Sequence, residues 1–128
     1  MLVIDTNVIL RYLVGDDVEK ADRIEKFLRT KTPFLVNDVV AAEVYYVLRS
    51  YYKHPRLEII ESLRGFLEQS QVKYNRPLID KSLDILSEHN IDFADAYTAA
   101  IALIESDCRV ITFDLDFDKI AGIKRVEP

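Results

Sequence analysis

The sequence is poor in the residues on which several common kinds of site depend. It contains one cysteine, Cys108, which we expect to be a small buried hydrophobe. No intrachain disulfide can form, and a reducing cytoplasm is the expected location. Its two histidines are His54, in a basic loop, and His89, at a predicted helix end. They have no evident reason to meet, which argues against a ribonuclease that uses a histidine pair. With three glycines, the chain has no glycine-rich phosphate loop.

Long apolar runs and an excess of positive charge are also absent. The apolar run at the start of the chain is interrupted by Asp5, so we predict neither a signal peptide nor a membrane span, and no membrane partner. A net charge of −5 does not suggest a tight nonspecific nucleic-acid binder. It remains compatible with a nuclease, because metal-binding carboxylates lower the net charge while basic residues elsewhere contact phosphate. A length of 128 residues predicts a single domain over residues 1–128.

Short apolar segments alternate with longer amphipathic ones along the chain. The short segments predict strands at LVID, PFLV, VKYN, RVITF and GIKRV. The longer segments predict helices between them, which indicates βαβ units and a parallel sheet covered on both faces. In open sheets of this kind, sites form beyond the carboxyl ends of the strands.

Four acidic residues, far apart in the sequence, are expected at that edge. Asp5 ends the strand LVID, and Asp114 ends the strand VITFD. Asp95 lies in the first turn of the helix that precedes RVITF. Glu43 lies one to two turns into the helix that follows PFLV. The predicted topology therefore directs all four carboxylates toward one end of the sheet.

Each of these acids also has a simpler interpretation. Asp5 could cap the next helix, and Asp95 could be the acidic partner of Asp92 in a capping box. Asp114 could be a turn residue in the acidic segment DLDFD.

Glu43 is the lone charge in VVAAEVYYVL, where apolar residues lie one turn away on either side. An unpaired buried carboxylate costs several kcal/mol, so we expect Glu43 to face a metal. The alternative is a buried salt bridge to Arg11 or Arg49.

One arrangement accounts for all four acids together. Clustered carboxylates repel each other unless a cation lies among them. Oxygen ligands without a supporting cysteine or histidine set select a hard ion, Mg²⁺ or Mn²⁺, with one or two ions per active site. Such ions activate water and stabilise the leaving oxygen in phosphodiester hydrolysis, which predicts a nuclease.

Four segments, in order along the whole chain, resemble the successive motifs of the PIN-domain family. They are VIDTNVILRYL, the segment with Glu43, DFADAYTAAIA and VITFDLDF. The closest subgroup is the VapC-type toxin ribonucleases of prokaryotic toxin–antitoxin systems. The resemblance implies a three-layer α/β/α sandwich with a central parallel sheet. It also implies Mg²⁺- or Mn²⁺-dependent cleavage of single-stranded or structured RNA, a homodimer and an antitoxin partner.

Carried over residue by residue, the resemblance assigns the catalytic and metal-binding acids to Asp5, Glu43, Asp95 and Asp114. It implies that Asp5 and Asp95 hold the principal metal and that Glu43 binds it or orients the attacking water. Asp114, or alternatively Asp116, completes the site, and the products carry a 3′-hydroxyl and a 5′-phosphate. Supporting positions match Thr6, Asn7, Asp92, Thr112 and Asp116. Arg11 is a candidate phosphate contact, with a surface salt bridge as the alternative.

The aromatic pairs Tyr45–Tyr46 and Tyr51–Tyr52, near Arg49, Lys53 and Arg56, admit three interpretations. They are an interface with a second copy or an antitoxin, part of the core, or a surface for stacking bases.

Other functions need features that the chain does not have. A receiver domain could use Asp38 but needs a later Lys–Pro turn, and a haloacid-dehalogenase-type phosphatase needs Asp-x-Asp where this chain has DTN. A non-catalytic binding module and a PIN nuclease of RNA processing outside any toxin system stay open as alternatives.

Overall fold

A computed structural model describes all residues, 1–128. The chain divides into two compact units, Met1–Tyr74 and Asn75–Pro128, which are described separately. The single domain predicted over residues 1–128 stays a prediction. None of the helices is long and apolar enough to span a membrane.

The first unit contains three strands and four helices. In chain order they are β1 (Leu2–Val3), α1 (Thr6–Val14), α2 (Val18–Arg29), β2 (Phe34–Val36), α3 (Asp38–Ser50), α4 (Arg56–Leu67) and β3 (Val72–Tyr74). The second unit contains α5 (Arg76–Glu88), α6 (Phe93–Glu105), β4 (Arg109–Ile111), a 3₁₀ helix (Leu115–Lys119) and β5 (Lys124–Val126).

In the first unit, the strands form a parallel sheet in the order β1-β2-β3. Its register pairs Leu2 with Phe34 and Phe34 with Val72. Pairs of helices connect the successive strands, as parallel pairing requires. Asn37 ends β2 and caps α3, because its side chain accepts a hydrogen bond from the Val40 amide at 2.8 Å. α1 ends at Gly15, whose left-handed backbone (φ 72°) is the conformation that glycine adopts most easily.

In the second unit, α5 and α6 pack extensively against each other. α6 is rich in alanine, and Ala96, Ala99 and Ala100 are fully buried. Small side chains allow the close approach of another helix. β4 and β5 form a parallel pair in register from Arg109 opposite Lys124.

Six helices and a central parallel sheet confirm the predicted fold class, and they agree with the PIN-like α/β/α sandwich that the resemblance implies. Two details of the sequence prediction were wrong. Both residues of β1 are exposed and only Ile4 after them is buried, although LVID was expected to be a buried strand. Cys108, expected to be a small buried hydrophobe, is half-buried and has a left-handed backbone with φ 66°.

Candidate active site

The acids of the second unit begin at the start of α6. Asp92 occupies the N-cap position with an extended backbone, but its side chain makes no capping hydrogen bond. Asp95 follows in the first turn and is half-buried. No capping box therefore forms here, although the spacing of the two acids would allow one. Neither carboxylate is therefore engaged in capping α6.

Asp95 is surrounded by other carboxylates of the same unit. The pKa of Asp95 is raised, first by burial and then by the negative charges of Asp92, Asp114 and Asp116. Two of these neighbours come from the segment after β4, so the fold assembles acids that are about twenty residues apart in the sequence. A cation bound among them would oppose this shift, because it would favour the charged carboxylates.

The segment after β4 is organised by hydrogen bonds between residues two or three positions apart. The Thr112 hydroxyl accepts a bond from the Asp114 amide at 2.9 Å, and Asp114 Oδ1 accepts one from the Asp116 amide at 2.9 Å. Lys119 Nζ donates to Asp116 Oδ1 at 3.1 Å. One oxygen of Asp114 thus caps the 3₁₀ helix, while Asp116 is partly neutralised by a lysine. Asp116 also lines a shallow depression together with Asp95.

In the first unit, Asp5 occupies the N-cap position of α1. Its side chain is exposed and makes no capping hydrogen bond, so the interpretation of Asp5 as a helix cap is wrong. Its position is fixed by the strand before it, where the Ile4 amide donates to the Leu35 carbonyl at 3.0 Å. Thr6 is 6% exposed, and Asn7 is exposed.

The environment of Glu43 differs from the buried one that the sequence predicted. The side chain is exposed, together with Val39 (73%) and Tyr46 (67%), one turn away on either side. It takes part in no ion pair, and Arg49 donates instead to the His54 carbonyl at 3.3 Å. The alternative interpretation of Glu43 as a partner in a buried salt bridge is therefore wrong. The carboxylate of Glu43 is solvated and unpaired, on the second turn of α3.

The structure thus brings Asp92, Asp95, Asp114 and Asp116 together in the second unit. Asp5 and Glu43 belong to the first unit, and the approach of the two sets of acids stays a prediction.

Two basic residues of α2 line a cleft in the first unit. Lys20 and Arg23 share this cleft with Arg11 and Asn7. The sequence signal for the cleft is spacing. Arg23 lies three residues and Phe27 seven residues after Lys20, which places all three side chains on one face of α2. Arg11 also forms a loose ion pair with Asp16 at 3.8 Å. Its position is therefore compatible with both predicted contacts, a substrate phosphate and a surface salt bridge.

The tyrosine pairs divide between the core and the surface. Tyr45 is buried, whereas Tyr46 and Tyr51 are largely exposed. The rings of Tyr51 and Tyr52 meet edge-on with their centres 4.9 Å apart. The core interpretation holds for Tyr45, and the exposed tyrosines are available for an interface or for stacking.

The donor chemistry of the acids fits a hard divalent cation, because every ligand offered is a carboxylate oxygen. The fit is incomplete, since no group of three or more Asp, Glu, His or Cys side chains is already arranged to hold a metal ion.

Comparison with known proteins places the chain in a family. A search of the curated proteins returns no match. Residues 2–123 match the family model described as PIN domain, and this match spans nearly the whole chain. PIN domains are generally nucleases, which are hydrolases that commonly use divalent metals. The chain belongs to the PIN-domain family.

Proposed function

We propose that this protein is a Mg²⁺- or Mn²⁺-dependent endoribonuclease that hydrolyses phosphodiester bonds of single-stranded RNA. The observation that carries the proposal is the gathering of four acids from two segments of the second unit, Asp92 and Asp95 at the start of α6 and Asp114 and Asp116 after β4. A soluble domain gains nothing in stability from such a cluster, whereas an oxygen-ligated cation requires one. Membership of the PIN-domain family supports the same chemistry.

The residues of the second unit would form one part of the metal site. Asp95 is the principal ligand, because its partial burial limits competition from water. Asp114 is the better second ligand, since Lys119 already pairs with Asp116. Thr112 holds the Asp114 backbone and so is a positioning residue. Asp92 adds negative charge at the edge of the cluster.

Asp5 and Glu43 supply the acids of the first unit in this proposal. Both are exposed and unpaired, as a ligand or a water-orienting base must be before it engages a cation or a substrate. When bound, the cation supplies Lewis acidity at the phosphate and lowers the pKa of water. Glu43 would bind the cation or orient that water, and Asp5 would be a further oxygen ligand.

The biological setting is a second part of the proposal. We propose that the enzyme acts in the cytoplasm as a homodimer and as the toxin of a toxin–antitoxin pair. The exposed aromatic residues Tyr46 and Tyr51 suit an interface with a second copy or with an antitoxin. A PIN nuclease of RNA processing outside any toxin system is the second candidate. A small antitoxin gene directly upstream would favour the toxin role over the role in RNA processing.

The decisive experiment is cleavage of a labelled single-stranded RNA by the purified chain in Mg²⁺, Mn²⁺ or EDTA. Asp5→Asn and Glu43→Gln are measured beside it, with Glu61→Gln as the control, because Glu61 is an exposed glutamate on the neighbouring helix α4. We expect metal-dependent cleavage that falls at least about 100-fold in the first two variants, since a cation supplies several kcal/mol of charge stabilisation. The control should cleave normally.

Thermal unfolding separates loss of chemistry from loss of fold. Asp5→Asn and Glu43→Gln should unfold at the wild-type temperature, because neither side chain makes a hydrogen bond or ion pair in the native fold. Absence of cleavage with either ion, or cleavage that survives both substitutions, would favour a non-catalytic binding module.

A further inference from the structure

Helices α1 and α2 enclose a cleft that carries positive charge in an otherwise acidic chain. Its volume is about 450 Å³, and we call it the basic cleft. It is lined by Asn7, Val8, Arg11, Lys20, Arg23, Ile24 and Phe27. No carboxylate lines it, although the chain has 22 acidic and 17 basic residues. The local charge of the cleft is therefore opposite to the net charge of the protein.

The cations of the cleft are only weakly neutralised. Arg11 lies 3.8 Å from Asp16, but both side chains are about half exposed, and such surface pairs contribute little. The side chains of Lys20 and Arg23 form no ion pair. Glu19 and Asp22, their neighbours in the sequence, form no ion pair with them, and Glu25 accepts hydrogen bonds from Arg29 and from the Tyr12 hydroxyl. The positive charge of the cleft thus remains available to a ligand.

The floor of the cleft is apolar and includes a fixed aromatic ring. Phe27 is 37% exposed. Its ring centre lies 6.2 Å from that of the buried Phe34, which in turn lies 6.1 Å from Phe66. Because Phe27 packs against the buried ring of Phe34, little entropy is lost when a flat group stacks on its exposed part. Val8 and Ile24 extend this apolar surface.

We infer that the basic cleft is a nucleotide subsite for the RNA substrate, in which Lys20, Arg23 and Arg11 bind phosphate and Phe27 stacks a base. This inference rests on the proposed function and specifies where the substrate binds. Cations beside an aromatic ring are the combination with which proteins hold single-stranded nucleic acid. An acidic peptide would use the cations and leave the ring without a partner.

The position of the cleft relative to Asp5 supports this assignment. Arg11 follows Asp5 by six residues on α1, which is about 9 Å along the helix axis. A strand that reaches Asp5 can therefore extend into the cleft with its next nucleotides. Asn7, between the two, offers an exposed amide to the same strand.

Binding of fluorescein-labelled single-stranded RNA in EDTA tests the cations without cleavage. Lys20→Ala/Arg23→Ala is compared with Lys26→Ala/Arg29→Ala, which removes two exposed cations of the same helix that lie outside the cleft. The cleft variant should bind about tenfold more weakly, and the slope of log affinity against log salt should fall by about 1.4 for two lost phosphate contacts. The control variant should bind nearly as the wild type does.

Phe27→Leu tests the ring, because leucine keeps an apolar side chain against Phe34 but cannot stack. We expect it to bind RNA roughly tenfold more weakly and to show smaller differences in affinity among the four homopolymers. Val18→Leu, an apolar exchange at an exposed position of α2, is the control and should leave both readouts unchanged.

The outcome separates this inference from the proposed function. If the wild type cleaves RNA but the two double variants bind it equally well, the subsite is wrong and the nuclease stands. If RNA binding depends on the cleft but no metal supports cleavage, the subsite stands without the nuclease. Displacement of RNA from the wild type by polyglutamate at equal charge concentration would assign the cleft to an acidic protein partner and overturn the subsite.

Discussion

Asp95 is an acid whose ionisation the native fold opposes. Burial and the charges of Asp92, Asp114 and Asp116 raise its pKa, so the folded protein binds a proton there more tightly than the unfolded chain does. The stabilising contribution of this group is present at low pH and is lost as the pH rises through the folded pKa. At neutral pH, the acids that are proposed to serve catalysis therefore reduce stability.

Asp95→Asn should separate these two effects. We expect cleavage to fall at least about 100-fold, because the substitution removes the proposed principal metal ligand. The melting temperature at neutral pH should rise, because the amide has no charge to repel its neighbours. This gain should shrink as the pH is lowered toward about 4, the ordinary range of a carboxyl group. Circular dichroism melts across that range would measure it.

Glu105→Gln is the matched control for this prediction. Glu105 is an exposed acid at the other end of the same helix, α6. It should leave cleavage unchanged. A lower melting temperature for Asp95→Asn at neutral pH would contradict the repulsive cluster.

At the scale of elements, the segment between β4 and the 3₁₀ helix fixes the second pair of acids. Thr112→Val removes the hydroxyl that accepts the Asp114 amide. We expect activity to fall about tenfold through misplacement of Asp114, and stability to fall by about 1 kcal/mol for the lost hydrogen bond. Cleavage assays and urea unfolding provide the two measurements.

Thr112→Ser should restore most of the activity, since serine keeps the hydroxyl. Thr98→Val serves as the control, because the Thr98 hydroxyl donates to the Ala94 carbonyl on an exposed part of α6. Equal activity of Thr112→Val and the wild type would show that the hydrogen bond does not position Asp114.

The packing of α6 on α5 holds in place the helix that carries Asp92 and Asp95 at its start. Ala99 is fully buried where these helices pack closely, and Ala99→Leu adds volume with no space for it. We expect a loss of about 1–3 kcal/mol in the free energy of unfolding, measured in urea. Ala94→Leu, at an exposed position of the same helix, should cost much less. Similar losses in both variants would indicate that helix propensity, and not packing, limits stability.

At the scale of the whole molecule, a bound cation should stabilise the native state. The unfolded chain disperses the carboxylates that cluster around Asp95, so the cation binds the native state more tightly. We expect Mg²⁺ or Mn²⁺ to raise the melting temperature of the wild type, saturably and well below the concentrations at which salt acts generally. The same titration of Asp95→Asn should give a much smaller rise. An equal rise in both proteins would place the cation elsewhere.

The charges of the molecule are unevenly distributed. The net charge of −5 opposes general binding to RNA, yet the cleft between α1 and α2 has three cations and no carboxylate. Net charge therefore describes solubility and long-range repulsion, whereas the local arrangement decides where a phosphate can bind.

The sequence predicted the order and type of the elements well. The alternation of short apolar and long amphipathic segments predicted the parallel sheet, and Asn37, which caps α3, is of the residue type that helix N-caps prefer. These features depend on local chemistry and on periodicity, which a single sequence contains. The exposure of particular side chains was predicted less well. In VVAAEVYYVL the apolar residues surround the helix, so the pattern does not indicate which face is covered.

The sequence by itself determined which residues are candidates for the chemistry, because carboxylates at strand ends and helix starts follow from the order of the elements. Tertiary structure decided how those residues are used. It left Asp5 and Asp92 without capping bonds, exposed Glu43 to solvent, and placed Asp114 and Asp116 where their charges raise the pKa of Asp95. It also turned Lys20 and Arg23 toward a cleft with Phe27. The physical reason is that burial and electrostatic interaction depend on distances between residues far apart in the chain, and only packing sets those distances.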